Sequence, residues 1–204
     1  MTGVVLALAG TLRDPWLWAY TVLWSSTTFY AMFSLDEDLA RERYSPPTAG
    51  ADGVALHFVR GAALAHLVVG VLDGSRWHLT APVPATLRAL ALGGMTACLT
   101  MFFRAMHENH FFSSVVRLQT ERGHRVVDSG PYAVVRHPGY AGALLAGPCS
   151  GLALGSWIAG GIGVLLTAFI LRRVIFEDAF LRKNLAGYEE YTHRVRSRVI
   201  PGVW

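Results

Sequence analysis

The sequence predicts an all-α integral-membrane protein of about five transmembrane helices, with a C-terminal helical hairpin and a cytoplasmic loop and tail. Three observations predict this. Hydrophobic residues make up 52% of the 204 positions and charged residues only 16%, with a mean hydropathy of +0.36. The apolar residues gather into blocks close to the roughly 20 residues that a helix needs to cross a bilayer. The basic residues flank those blocks, as the positive-inside rule expects.

The first predicted span covers residues 15–35. Pro15 after Asp14 is a good helix start, and Trp16, Trp18, Tyr20 and Trp24 fall at one end, where an aromatic belt lies. A polar loop over 36–52 follows, broken by Pro46-Pro47. Spans two and three cover 54–72 and 84–106. The last two, 140–155 and 157–176, turn at Gly155-Ser156 and are rich in Gly and Ala, which lets helix backbones approach closely. The tail 177–198 is too charged to span. It reads as a continuation of the last helix, then an amphipathic piece after Gly187 on the membrane surface. The chain divides into N-terminal spans, residues 1–106, and a C-terminal core, residues 107–204. The first apolar block, 4–9, is short and follows no basic residue, so it does not read as a signal peptide.

Five spans put the loop 36–52, the loop 107–139 and the tail on one side. That side carries most of the Lys and Arg, so it is expected to be cytoplasmic. The net charge of +4 is explained by lipid headgroups rather than nucleic acid. Cys98 and Cys149 sit in apolar blocks and imply neither disulfide nor metal. His57 and His66 are too far apart in sequence for a helical ligand pair, so no metal is expected. One lysine against seventeen arginines suggests a GC-rich genome and a bacterial inner membrane.

Charge near a membrane is costly and invites a functional explanation. The loop 107–139 reads His124-Arg-Val-Val-Asp-Ser-Gly-Pro-Tyr132, then Arg136-His-Pro-Gly-Tyr140 just beyond it. Gly130-Pro131 and Pro138-Gly139 are turn dipeptides that free backbone polar groups. Tyr132 and Tyr140 offer rings to a planar base, His137 a hydrogen bond, Arg136 a permanent charge and a fork. At the end of the last span, Arg173 and Glu177 share a helical face. A membrane-edge ion pair and a solvated loop are the simpler readings of these clusters. Their common cytoplasmic side brings them together.

As a set, these motifs resemble the isoprenylcysteine carboxyl methyltransferase family, related to the phospholipid N-methyltransferases. The motifs are His124 with Val126-Val127, Ser129-Gly130-Pro131-Tyr132, Arg136-His137-Pro138-Gly139-Tyr140, Glu177-Asp178 and the Gly187…Tyr191…Arg194-Val195 tail. The resemblance implies S-adenosylmethionine as cofactor. It implies a cofactor pocket from His124, Arg125, Val126, Val127, Tyr132, His137, Pro138, Gly139, Tyr140, Glu177 and Asp178. Arg117 falls where the family has a glutamine against the cofactor, with Gln119 two residues on. Arg136 falls on an arginine important for activity, and Arg173 is implied to meet the substrate; with Glu177 these are the expected catalytic residues. The expected acceptor is lipid-like or small and hydrophobic, with a carboxylate foremost. Phospholipid N-methylation and thiol S-methylation are alternatives. A nicotinamide-dependent membrane reductase and a non-catalytic scaffold or transporter are the rival classes, against which stand the lack of a dinucleotide-type Gly-rich turn and of a charged relay across the spans.

Overall fold

A computed structural model describes residues 2–46, 50–51 and 53–204. The described residues are helical, without strands. Helix α1 (Thr2–Ala9) precedes α2 (Pro15–Ser34), which starts as expected: Asp14 accepts from Trp16 N at 2.9 Å and Pro15 takes the first turn. Asp36 likewise caps α3 (Glu37–Tyr44), accepting from Leu39 N at 2.8 Å. This short helix has acidic residues in its first turn and Arg41 and Arg43 in its last, matching its dipole. Pro47 and Asp52, parts of the predicted loop, lie outside the described residues.

Helix α4 (Gly53–Val71) runs into a π-helical turn, Leu72–Trp77. Asp73 ties that turn down by accepting from Thr80 N (2.9 Å), Thr80 Oγ1 (2.7 Å) and Ser156 Oγ (2.6 Å). Helix α5 (Ala85–Glu108) then leads into the long loop, which carries 3-10 turns at Thr120–Arg122 and Gly130–Ala133. Next come α6 (Pro138–Ala143), α7 (Ala146–Leu154), α8 (Trp157–Asn184) and α9 (Tyr188–Arg194).

Among the described residues, three helical stretches are long and apolar enough to cross a membrane: His57–Trp77, Ala85–Glu108 and Trp157–Asn184. Large apolar side chains such as Phe33, Leu64, Leu90 and Leu165 stay exposed, while Gln119, Asp178 and Ser156 are buried. That inversion of the soluble pattern fits a lipid solvent, and the chain reads as an integral-membrane protein. The fourth predicted span is not one helix. It breaks between α6 and α7, where the freed Leu144 carbonyl accepts from Thr167 Oγ1 of α8 at 2.6 Å. A broken helix survives at membrane depth when a neighbour satisfies the freed group in this way.

The α7–α8 hairpin turns at Gly155, whose φ of +89° favours glycine, and Ser156 caps α8. A Cβ on Gly151 would overlap the backbone of Ala159 and Gly160, and one on Gly163 would overlap Gly147 and Pro148. The main core joins both halves of the chain: Val5, Leu17, Tyr20, Val71 and Met95 pack with Ala153 and Leu154. Tyr20 departs from the predicted belt, its hydroxyl buried 2.8 Å from Ser150 Oγ. Ser150 also meets His66 Nε2 at 3.0 Å. Helix α9 departs as well: Tyr188 and Tyr191 are buried against the long loop rather than turned to a membrane surface.

Candidate active site

Below the hairpin, the long loop, α8 and α9 enclose a cavity of about 220 Å³. Its organising charge is Asp178, which is 1% exposed. Arg136 grips it with Nε at 2.8 Å and Nη2 at 3.1 Å. His137 Nε2 lies 3.2 Å and the Tyr188 hydroxyl 3.1 Å from Oδ1, and Arg198 Nε reaches Oδ2 at 3.1 Å. The remaining Arg136 nitrogen, Nη1, donates to the carbonyls of Val195 and Arg196, both at 2.7 Å. The backbone seals the same junction: Arg136 N donates to Ser197 O and His137 N to Arg198 O. Loop, α8 and tail are therefore one hydrogen-bonded unit, with a buried pair whose lone pairs and protons are satisfied.

The cavity wall begins beside this hub, at the preceding residue of α8. Glu177 accepts from the Tyr140 hydroxyl at 2.7 Å, and His137 Nδ1 lies 3.9 Å from its other oxygen. Arg173 donates to the Ser114 carbonyl at 2.6 Å, with its guanidinium 6.0 Å from the Tyr140 ring centre. On the loop side, Phe111 and His124 stack at 4.6 Å with 28° between planes. Burial, followed by the charges of Arg117 and Arg122, pushes the His124 imidazole down to about 4, so it is neutral at physiological pH. Tyr132 is held by Asn109 Nδ2 at its hydroxyl and by the Tyr191 hydroxyl at its carbonyl. Burial raises Tyr132, Tyr188 and Tyr191 above the usual phenol range, so all three remain hydroxyl donors.

Two glycines are required by close approach. A Cβ on Gly139 would overlap the Phe112 ring, and Gly130 combines a φ of +53° with the Glu108 carboxylate against it. That carboxylate also accepts from Ser129.

Of the residues singled out in the sequence, Arg117, His124, Arg125, Val126, Val127, Tyr132, Arg136, His137, Gly139, Tyr140, Arg173 and Glu177 line the cavity. Gln119, Pro138 and Asp178 do not. Gln119 is fully buried behind the wall, donating to Phe111 O and accepting from Arg122. Pro138 starts α6. Arg117 lines the cavity, but its guanidinium is already paired with Glu42 at 2.6 Å and Glu121 at 2.8 Å. Although burial works against it, the Arg117 and Ser113 hydrogen bonds hold the Glu42 carboxyl below its ordinary range.

Several lining residues were not singled out as site residues: Arg43 of α3, Asn109, Phe111, Phe112, Ser113 and Tyr188, while Tyr191 stood only in the tail motif. The Phe111-Phe112 pair at the exit of α5 was a usable signal, as was the three-residue spacing of Tyr188 and Tyr191. Nothing local in the sequence marks Arg43.

Residues 89–183, which hold the hairpin, most of the cavity wall and the Asp178 hub, match the model of the isoprenylcysteine carboxyl methyltransferase (ICMT) family. The resemblance to that family therefore covers residues 89–183. The chain is also similar to "Probable protein-S-isoprenylcysteine O-methyltransferase" of Oryza sativa subsp. indica, 32% identical over 96 residues, covering 42% of this chain and 46% of the relative. "Protein-S-isoprenylcysteine O-methyltransferase" of Schizosaccharomyces pombe is 28% identical over 107 residues, covering 50% of this chain and 45% of the relative. "Protein-S-isoprenylcysteine O-methyltransferase B" of Arabidopsis thaliana is 29% identical over 90 residues, covering 43% and 46%. The chain spans less than half the length of these relatives. The matched segment excludes α3 and α9, so Arg43, Tyr188 and Tyr191 join the cavity from outside it.

Proposed function

We propose that the chain is an integral-membrane methyltransferase that uses S-adenosylmethionine and esterifies the carboxylate of a lipid-like acceptor such as an S-isoprenylated cysteine. The observation that carries this reading is the pairing, within one cavity of the matched segment, of an anionic wall at Glu177 with a cationic one at Arg173. Bound there, S-adenosylmethionine supplies a methyl group activated by a sulfonium.

The residues present suit that group. The Phe111–His124 stack and Tyr132 offer faces and edges for a purine, and a neutral His124 adds no charge to repel a cation. Glu177 gives a cationic centre its counter-charge, and Tyr140, donating to Glu177, fixes the carboxylate's direction. Arg173, placed over Tyr140, orients an anionic acceptor toward the methyl carbon. A carboxylate needs no general base, so alignment is the main task. Arg136 and Asp178 act by holding His137 and the tail in place. In this reading residues 107–204 are the catalytic core and 1–106 the membrane scaffold. The span count is five, with α2 and the α6–α7 pair added to the three long helices. The loop and tail are cytoplasmic, and the arginine bias supports a bacterial inner membrane.

The test is isothermal titration of detergent-solubilised protein with S-adenosylhomocysteine, followed by a labelled-methyl assay on S-isoprenyl cysteine, phospholipid amines and thiols. Binding with transfer to the carboxylate alone is the expected result. Transfer to nitrogen or sulfur would move the chain to the phospholipid or thiol alternative, and no binding would remove the methyltransferase reading.

A further inference from the structure

A groove of about 620 Å³, separate from the cavity, runs between α2 and α5. The outer halves of the two helices are joined, by Arg88 to Asp14 and by the core around Leu17, Tyr20 and Met95. Their inner halves line the groove instead. Leu23, Thr27 and Tyr30 of α2 and Thr96, Leu99 and Thr100 of α5 recur at helical spacing, so one stripe of each helix faces it. The threonine hydroxyls are spoken for: Thr27 donates to Trp24 O at 2.9 Å, Thr96 to Leu92 O at 2.9 Å and Thr100 to Thr96 O at 2.8 Å. Satisfied within their own helices, these side chains offer the groove their methyl groups, and with Leu23 and Leu99 they make its length apolar.

The mouth is different. Arg104, His107 and Glu108 line it. Arg104 is exposed, and Glu108, one turn on, is the partner a helix would give it. That carboxylate is turned to the loop instead, accepting from Ser129 and lying against Gly130. Among the described residues no carboxylate pairs with Arg104. His107 Nε2, enclosed at the same level, has no hydrogen-bond partner among them, and a buried polar atom calls for one. From Thr96 to Glu108 the helix rises about 18 Å at roughly 1.5 Å per residue, close to the roughly 15 Å of hydrocarbon in one leaflet. A groove one leaflet deep, apolar along its length and cationic at headgroup level, matches a single anionic phospholipid in size and charge. A second helix would need the full thickness of about 20 residues and would leave Arg104 without an anion.

We propose that the α2–α5 groove binds one anionic phospholipid from the leaflet on the cavity side, its phosphate at Arg104 and His107 and an acyl chain along Leu23 and Leu99, and that this lipid steadies the turn leading to Tyr132. The second part follows from what the groove touches. Gly130 and Pro131 line the groove, and the next residue, Tyr132, lines the cavity. Glu108 holds Ser129, and its neighbour Asn109 donates to the Tyr132 hydroxyl at 3.2 Å. A headgroup seated on Arg104 and His107 therefore presses on the end of α5 that carries both contacts. The site lies outside the cavity and does not depend on the methyltransferase reading.

The test titrates the detergent-solubilised protein with phosphatidylglycerol and with phosphatidylcholine and counts retained lipids by native mass spectrometry. Wild type should hold one phosphatidylglycerol at least about tenfold more tightly than phosphatidylcholine. Arg104→Gln should erase that preference, and Arg104→Lys, which keeps the charge, should retain most of it. Arg172→Gln removes an exposed arginine of α8 away from the groove and should change nothing. Thr100→Phe, at an exposed position, fills the groove and should weaken both lipids. In nanodiscs, adding phosphatidylglycerol to phosphatidylcholine should slow amide hydrogen exchange at residues 129–133 at least about threefold in wild type and not in Arg104→Gln. Equal losses in the Arg104 and Arg172 variants, or no preference in wild type, would mean annular lipid only and overturn the site. Tight phosphatidylglycerol binding with unchanged exchange at 129–133 would overturn the link to Tyr132.

Discussion

His137 stands at the boundary between the Asp178 hub and the cavity wall, so its loss removes a support and a surface together. His137→Ala is expected to weaken S-adenosylhomocysteine binding at least tenfold, about 1.4 kcal/mol, by titration. Unchanged binding in a folded variant would take His137 out of the site. Glu177 and Arg173 should differ in kind. Glu177→Gln loses cofactor affinity, whereas Arg173→Met binds S-adenosylhomocysteine and loses transfer, with cofactor titration and turnover as the two readouts. If they formed only a surface ion pair, each change would cost about 0–1 kcal/mol and the charge-swapped double variant would stay active. His124 gives a pH prediction. Its folded value of about 4 lies below the ordinary value, so the unfolded chain binds the extra proton first. Its contribution to stability is complete above about 6.5 and is lost as pH falls toward 4. The melting temperature of wild type should therefore fall more steeply across that window than that of His124→Phe.

At the scale of elements, the joint between loop, α8 and tail depends on one carboxylate. Asp178→Ala strands a buried guanidinium, a change that costs about 3–5 kcal/mol when a buried pair loses one partner. A large drop in the melting temperature is the expected outcome. The double variant Arg136→Met, Asp178→Ala removes both charges and should recover part of that loss in a double-mutant cycle. An additive double variant would show that the pair is not coupled. The hairpin has a different source of precision. Glycines at 147, 151 and 163 let α7 and α8 touch through backbone, and no larger residue fits there without moving a helix.

For the whole molecule, the charge distribution sets direction in the membrane. Asp14, Arg88 and the Asp73–Ser156 lock cluster at the end opposite the cavity, where Arg88 Nη2 meets Asp14 at 3.5 Å. A reporter fused after Trp204 should be cytoplasmic and one inserted near Ser75 external. Both on one side would rule out five spans. The common core of Val5, Leu17 and Val71 with Ala153 and Leu154 also means that the two halves should melt as one transition.

The sequence by itself determined the helical, membrane-embedded class, because hydropathy and charge flanks are properties of contiguous residues. The cap at Asp14, the turn at Gly155 and most of the cavity wall in the motifs from His124 to Glu177 were legible for the same reason. Tertiary structure alone decided the rest. Whether residues 140–155 run as one helix depended on Thr167, on another helix, accepting the role of partner to a freed carbonyl. Whether Asp178 faces the cavity or supports it depended on Arg136, His137, Tyr188 and Arg198 converging from three segments. Gln119 and Arg117, two residues apart, differ in burial and task because one loop bends between α3 and the wall. Arg43 belongs to the cavity because Glu42 is held from across the fold, through a contact between residues far apart in the chain that no local pattern encodes.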